Sequence, residues 1–179
     1  PSSVTLGGTI SGTGTHSVQL DTAGGELILS GANTYSGDTA ITSGRVEISG
    51  SLGASNQYAG NISNAGTLVL NSANNQTLAG DITGNGSLEQ AGSGTTTLTG
   101  SGNAYTGATT ISDGTLKIGD GTVNGSLSGN GTVSIGANGT LVFDIVGQTP
   151  VVSSKNISGA GVFEKQGAGQ RTLTGTNSY

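Results

Sequence analysis

One histidine, ten carboxylates and four tyrosines are the residues of this chain whose types could carry chemistry. A serine-histidine-aspartate nucleophile would have to use His16, the single histidine. His16 lies in "GTGTHSVQL" beside strand-like residues, and no Gly-x-Ser-x-Gly elbow occurs, so it reads as a strand or turn histidine. Polysaccharide cleavage would need clustered carboxylates, or a carboxylate beside a base. The nearest candidates are Asp113 with Asp120, and Glu164 with Lys165. Both aspartates precede a glycine, which marks turn residues. Glu164 and Lys165 are neighbours on a strand, so their side chains are expected on opposite faces. The stretch "GDGTVNGS" lacks the alternating carboxylates and closing glutamate of an EF-hand loop. The chain has no cysteine, hence no disulfide and no thiolate metal site. No catalytic, cofactor-binding or metal-ligating residue is assigned.

Tyr35, Tyr105 and Tyr179 share one place in a repeated phrase. They could form a ladder of rings for stacking on sugars. Equivalent copies lie about three coils apart in the architecture argued below, too far to stack on one another. The preferred reading is that each ring covers the mouth of a turn, with Asn33 or Asn103 fixing the corner. The sequons Asn61-Ile62-Ser63 and Asn75-Gln76-Thr77 are expected by chance in so polar a chain.

The elements that position these residues are short. "ELILS", "TAITS", "RVEIS", "TLVLN", "TTTLTG" and "TLKIG" alternate with period two, are rich in Val, Ile, Leu and Thr, and are bounded by Gly, Asn or Ser. That is the strand signature. No segment carries a helical period, and interior glycines would each cost a helix about 1 kcal/mol. The order also recurs at long range. Ile10, Ile82 and Ile157 begin related phrases, giving units of about 10–81 and 82–156 and a truncated 157–179. Four Asn-Gly pairs, at 85, 124, 130 and 138, would suit hairpins of an antiparallel sandwich. A sandwich gains nothing from a long regular period, whereas a parallel β-solenoid stacks coil upon coil. The expectation is therefore a single all-β solenoid over 1–179, with about 20 to 25 residues per coil and seven or eight coils. At about 4.8 Å per coil the rod would be roughly 35 Å long. Inward positions are expected at Leu27, Leu29, Ile41, Val46, Ile48, Leu68, Leu70, Ile82, Leu88, Leu98, Ile111, Leu116, Ile118, Leu141, Phe143, Ile157, Phe163 and Leu173.

Composition narrows the partners. Gly, Thr, Ser and Asn make up more than half of the 179 residues, only 8% are charged, and the net charge is −5. Five basic residues (Arg45, Lys117, Lys155, Lys165 and Arg171) are scattered and form no stripe for nucleic acid or anionic lipid. No apolar run approaches the roughly 20 residues of a helical membrane span. The third copy of the phrase stops at Tyr179, so the chain is expected to be a piece of a longer one. Rows of threonine such as "TTTLT" are too irregular from coil to coil for ice binding.

"GGELILSGANTYSGDTAITSGRVEIS" and "GTTTLTGSGNAYTGATTISDGTLKIG" resemble the autotransporter-associated β-strand repeat, the passenger-associated transport repeat of type V secretion. The resemblance covers two full copies and a broken third, with minor departures at Asp38 and at Arg45-Val46. It implies a right-handed parallel β-helix from the passenger of a Gram-negative autotransporter. It further implies a C-terminal translocator barrel elsewhere in the protein, and display outside the outer membrane. The expected function is a stalk segment whose repeats aid outward transport by folding coil on coil. The alternatives are an adhesive or self-associating module that attaches to a host surface or glycan, and a β-helix polysaccharide enzyme. No nucleic-acid partner and no direct membrane insertion are expected.

Overall fold

The computed structural model describes residues 2–13, 17–20, 24–147 and 151–179. Every strand pair among them is parallel, and partners lie one coil apart in sequence. The chain is a β-solenoid. On its first face, Ser3–Leu6, Glu26–Leu29, Arg45–Ile48, Thr67–Leu70 and Ser87–Gln90 stack in order. The ladder continues through the starts of Thr109–Ile118 and Val133–Asp144 to Ile157–Gly159. These eight rungs make seven turns. The Asn-Gly pairs serve corners and strands of the parallel stack rather than hairpins.

The second face carries Gln57–Tyr58, Gln76–Leu78, Thr95–Leu98, the ends of the two long strands, and Val162–Gln166. The third begins with Val18–Leu20, Thr39–Ile41, Ile62–Asn64 and Ile82–Thr83. In the last coils its place is taken by Val151–Ser153 and Arg171–Leu173. Among the described residues the helical content is one 3-10 turn, Ala54–Asn56.

Alternation fills the core. Glu26–Leu29, Arg45–Ile48 and Thr95–Leu98 bury every second side chain. Sixteen of the eighteen residues expected inside are buried. Phe163 and Leu173 are only partly buried, though packed on the core. They belong to the last coil, which no further coil covers. Fully burying one such side chain contributes about 1.5–3 kcal/mol.

Corners bring backbones close. A Cβ on Gly66, Gly86, Gly107 or Gly131 would lie 2.0–2.4 Å from the carbonyl oxygen of Gly44, Gly66, Gly86 or Gly107 respectively, one coil earlier. Only glycine lets successive coils approach so closely. This column makes the corner between the third and first faces.

Candidate functional site

The candidate catalytic residues do not converge. His16 lies outside the described residues. Asp113 sits in the bend between the first and second faces, where its Oδ1 accepts the Gly114 N–H at 2.8 Å. Asp120 lies beyond the far end of the following second-face strand. Its Oδ1 accepts N–H bonds from Thr122 and Val123 and the Thr122 hydroxyl, at 2.7–2.8 Å. The Val123 N–H, with the Thr122 contacts, holds this carboxyl below its ordinary value. It is a turn-building group. Glu164 and Lys165 are both exposed on the terminal coil, Glu164 bonded to Gln166 and Lys165 to the Gly167 carbonyl. Among the described residues no three acidic or histidine side chains gather as a metal cluster.

What the repeated phrase builds is an inter-coil clamp. Asn103 is fully buried; its Oδ1 accepts the Ile82 N–H at 2.7 Å, one coil earlier. Its Nδ2 donates to Gly100 O at 2.9 Å and to Ser126 O, one coil later, at 3.2 Å. Asn33 does the same between Ile10 N–H, Gly31 O and Ser51 O. Asn177 accepts the Ile157 N–H at 3.0 Å. So the three isoleucines that open the repeat units are held by the three asparagines of the phrase. One short polar side chain fixes the corner and satisfies backbone groups of its neighbours. A second column runs beside it: Asp38 Oδ1 accepts Asn61 N–H, Asn61 Oδ1 accepts Asp81 N–H, and Asp81 Oδ1 accepts Gly102 N–H. Asp38, a departure from the usual glycine, thus starts a ladder.

The repeated tyrosines lie elsewhere than the sequence suggests. Tyr35 and Tyr105 do not cover the mouths of turns; they lie inside the core, 2% and 0% exposed. Each hydroxyl bonds the threonine four residues on, Thr39 at 2.8 Å and Thr109 at 2.7 Å. Burial raises both phenols above their ordinary value, so they stay neutral. Tyr179, on the last coil, is exposed beside Phe163. Tyr35 does stack on a ring, that of Tyr58 one coil later, edge-on at 5.4 Å with Thr39 Oγ1 bonded to both hydroxyls. Tyr58 lies outside the repeated phrase and was missed. Its signal was the shared Tyr-x-Gly of Tyr35-Gly37, Tyr58-Gly60 and Tyr105-Gly107.

Sequence reasoning also missed two interior cations. Lys155 is 1% exposed, with Nζ 3.5 Å from Gly131 O and 5.0 Å from the Tyr105 ring centre. Burial holds its ammonium down to about 8. Arg171 lies 4.1 Å over the Phe143 ring, and burial lowers it to about 10. Period two pointed to Arg171, two residues before inward Leu173. Lys117 is no free surface charge either: its Nζ meets Asp144 Oδ2 at 2.7 Å.

The outer faces are troughs rather than pockets. One of about 470 Å³ crosses the third face, past Ser36, Asp38, Asn61, Ser63 and Thr83. Another of about 310 Å³ follows Gln57, Thr77, Thr97 and Lys117 on the second face. Hydroxyl and amide side chains line both, and neither holds an aromatic platform.

Residues 24–48, 88–118 and 163–179 match the family described as the passenger-associated-transport-repeat. The Asn33, Asn103 and Asn177 clamps fall inside these three stretches. An adhesin BmaC autotransporter of Brucella suis biovar 1 (strain 1330) is 38% identical over 179 residues, an alignment covering 88% of this chain and 5% of that protein. The chain thus spans a small fraction of the length of the curated relative it matches. No solved structure gives a significant match.

Proposed function

The matched segments belong to the passenger-associated-transport-repeat family, and from that premise we propose that this chain is a stalk segment of a surface-displayed autotransporter adhesin, whose coils assist export by folding one upon another. The observation that carries this reading is the clamp. Each buried asparagine holds the backbone of a neighbouring coil, and every strand pairs with strands one coil away. Such an array can nucleate once and then add coils one at a time. Each added coil buries inward aliphatics and completes a ladder. A chain emerging through a narrow pore would then be drawn outward by folding alone. The missing cysteines suit a chain that crosses the periplasm extended and uncrosslinked. The partner for export is a C-terminal barrel of the same protein, in the outer membrane. The segment itself does no catalysis.

Adhesion is the second reading, favoured by the low-charge, hydroxyl-lined troughs of the second and third faces. There many weak hydrogen bonds would meet a host surface, a glycan or another rod.

The test of the export reading uses the full-length protein in a Gram-negative host. Asn103→Ala should slow the appearance of passenger at the surface, followed by protease accessibility, while Glu89→Gln should leave it unchanged. If a variant whose isolated segment is clearly destabilised still reaches the surface at the parental rate, coil stacking does not drive export.

A further inference from the structure

The four Asn-Gly pairs look alike in sequence, but the fold treats them differently. Asparagine followed by glycine can cyclise: the glycine backbone nitrogen attacks the asparagine side-chain carbonyl carbon. The reaction needs a free side chain, a following N–H that no acceptor holds, and a backbone that can bend to bring the two together.

Three pairs fail one of these conditions. Asn124 is pinned at both ends, its Nδ2 donating to Val146 O at 2.9 Å and its Oδ1 accepting the Val146 N–H at 2.7 Å. Asn85 is exposed, but the Gly86 N–H donates to Asn64 O at 2.8 Å and Gly86 is buried. Asn138 is exposed, but it lies within a strand, and the buried Gly139 is paired there with Gly114. Asn130 meets all the conditions. It is exposed, lies in the bend between Ser128 and Val133 outside any strand, and its amide has no hydrogen-bond partner among the described residues. The Gly131 N–H donates to no described acceptor.

We propose that Asn130 is a self-modifying deamidation site, set apart from the other three Asn-Gly pairs by its free side chain and the unheld N–H of Gly131. The Gly131 nitrogen, losing its proton to hydroxide, forms a bond to Asn130 Cγ. The Cγ–Nδ2 bond breaks and ammonia leaves with a proton taken from water. Water then opens the cyclic imide at either carbonyl, giving aspartate or isoaspartate. The net change consumes one water and releases one ammonia, with no oxidant or enzyme. The position has a structural consequence. A Cβ on Gly131 would already stand 2.0 Å from Gly107 O. The isoaspartate product puts an extra methylene into the main chain immediately before that contact, so the product should stack less well on the Gly107 coil.

The experiment incubates the folded 179-residue chain in mildly alkaline ¹⁸O-labelled water and follows each Asn-Gly pair by peptide mapping. Pinning the side chain, holding the N–H in a hydrogen bond or bending paired backbone adds about 1.4 kcal/mol to the barrier, so Asn130 should convert on the order of tenfold faster than Asn85, Asn124 or Asn138. In concentrated urea the four should converge. Equal rates in the folded chain would overturn the proposal. So would an Asn130 lead that persists undiminished in urea, since local sequence rather than the fold would then set it.

Discussion

Leu29 and Leu98 hold the same place in the repeated phrase yet sit on different faces of the rod. Leu29 stacks between Leu6 and Ile48 on the first face, and Leu98 between Leu78 and Ile118 on the second. Leu173, in the third copy, pairs with Ser153 on the third. Coil length is the cause. Three coils lead from Glu26 through Arg45 and Thr67 to Ser87, whereas the residue equivalent to Glu26 is Thr95, one face further round. The sequence repeat therefore spans three coils and about a third of another. Copies do not stack on copies. What stacks is generic: inward aliphatics, corner glycines and side-chain clamps. A row of equivalent surface residues along one face cannot form, which removes the idea of a sugar-binding ladder made from the repeated tyrosines.

Leu98→Ala should cost about 2–5 kcal/mol through lost transfer energy and a cavity, read from denaturant melts. Leu98 is fully buried with coils on both sides. Leu173→Ala removes the same atoms from a half-covered coil, where the site can relax and water already reaches. Its cost should be less than half as large. Equal costs would mean that the last coil is as closed as the middle.

Gly107→Val should cost about 3 kcal/mol or more, because the new Cβ would lie 2.2 Å from Gly86 O and force two coils apart. The neighbouring exposed Thr106 should accept Val within about 0.5 kcal/mol. Sequence suggests another cause for the glycine, a corner with positive φ, but Gly107 is not among the positive-φ residues. Gly107→Ala separates the causes, since a Cβ alone makes the clash. If Gly107→Ala is harmless, the close-approach account fails.

The parts legible in sequence were those set by short-range rules. Period two identified inward Leu98 and Ile118, because strand sides follow from the chain itself. The family phrase pointed to Asn33 and Asn103 as corner residues. The illegible parts depend on which residues stack, and corners of varying length hide that. Lys117 looked like an ordinary surface charge, since nothing local reveals Asp144 waiting one coil later. The Tyr35–Tyr58 contact likewise crosses a coil of irregular length that contains the Ala54–Asn56 turn. Lys155 reads as a solvated lysine until the stack closes around it.

Asn103→Ala should cost about 2–4 kcal/mol, because the buried Ile82 N–H and the carbonyls of Gly100 and Ser126 all lose a partner. Asn103→Asp keeps an acceptor for Ile82 but removes both donors and buries a charge, so it should not rescue stability at neutral pH. Asn85→Ala, at an exposed corner, should stay within about 0.5 kcal/mol. Amide exchange gives a local readout: the Ile82 N–H should lose protection in Asn103→Ala more than the Ile62 N–H, which is bonded to Asp81 O instead. Loss at both to the same degree would show that the clamp acts only through global stability.

Lys155 makes stability depend on alkaline pH. Burial lowers its ammonium from 10.5 to about 8 in the folded chain. Between those values this group binds more protons in the unfolded chain than in the folded one, so its contribution to stability rises with pH across that window, while the buried phenols of Tyr35 and Tyr105, raised by burial, contribute an opposite fall as pH passes about 10. Below about pH 8 the whole penalty is present, and above about 10.5 it is gone. A shift of this size corresponds to about 3 kcal/mol, offset among the described residues by the Tyr105 ring and the distant Gly131 carbonyl. Lys155→Met keeps the apolar stem and removes the titrating group. It should stabilise the chain at neutral pH by about 1–3 kcal/mol and flatten the rise between pH 8 and 10.5. Arg171 supplies no competing rise near neutrality, since its lowered value of about 10 leaves it charged there. The decisive measurement is a series of denaturant melts of both proteins from pH 7 to 10.5. A parental rise that survives in Lys155→Met would assign the effect to another group, and a destabilising Lys155→Met at pH 7 would mean that the buried ammonium is held by more than a ring and one distant carbonyl.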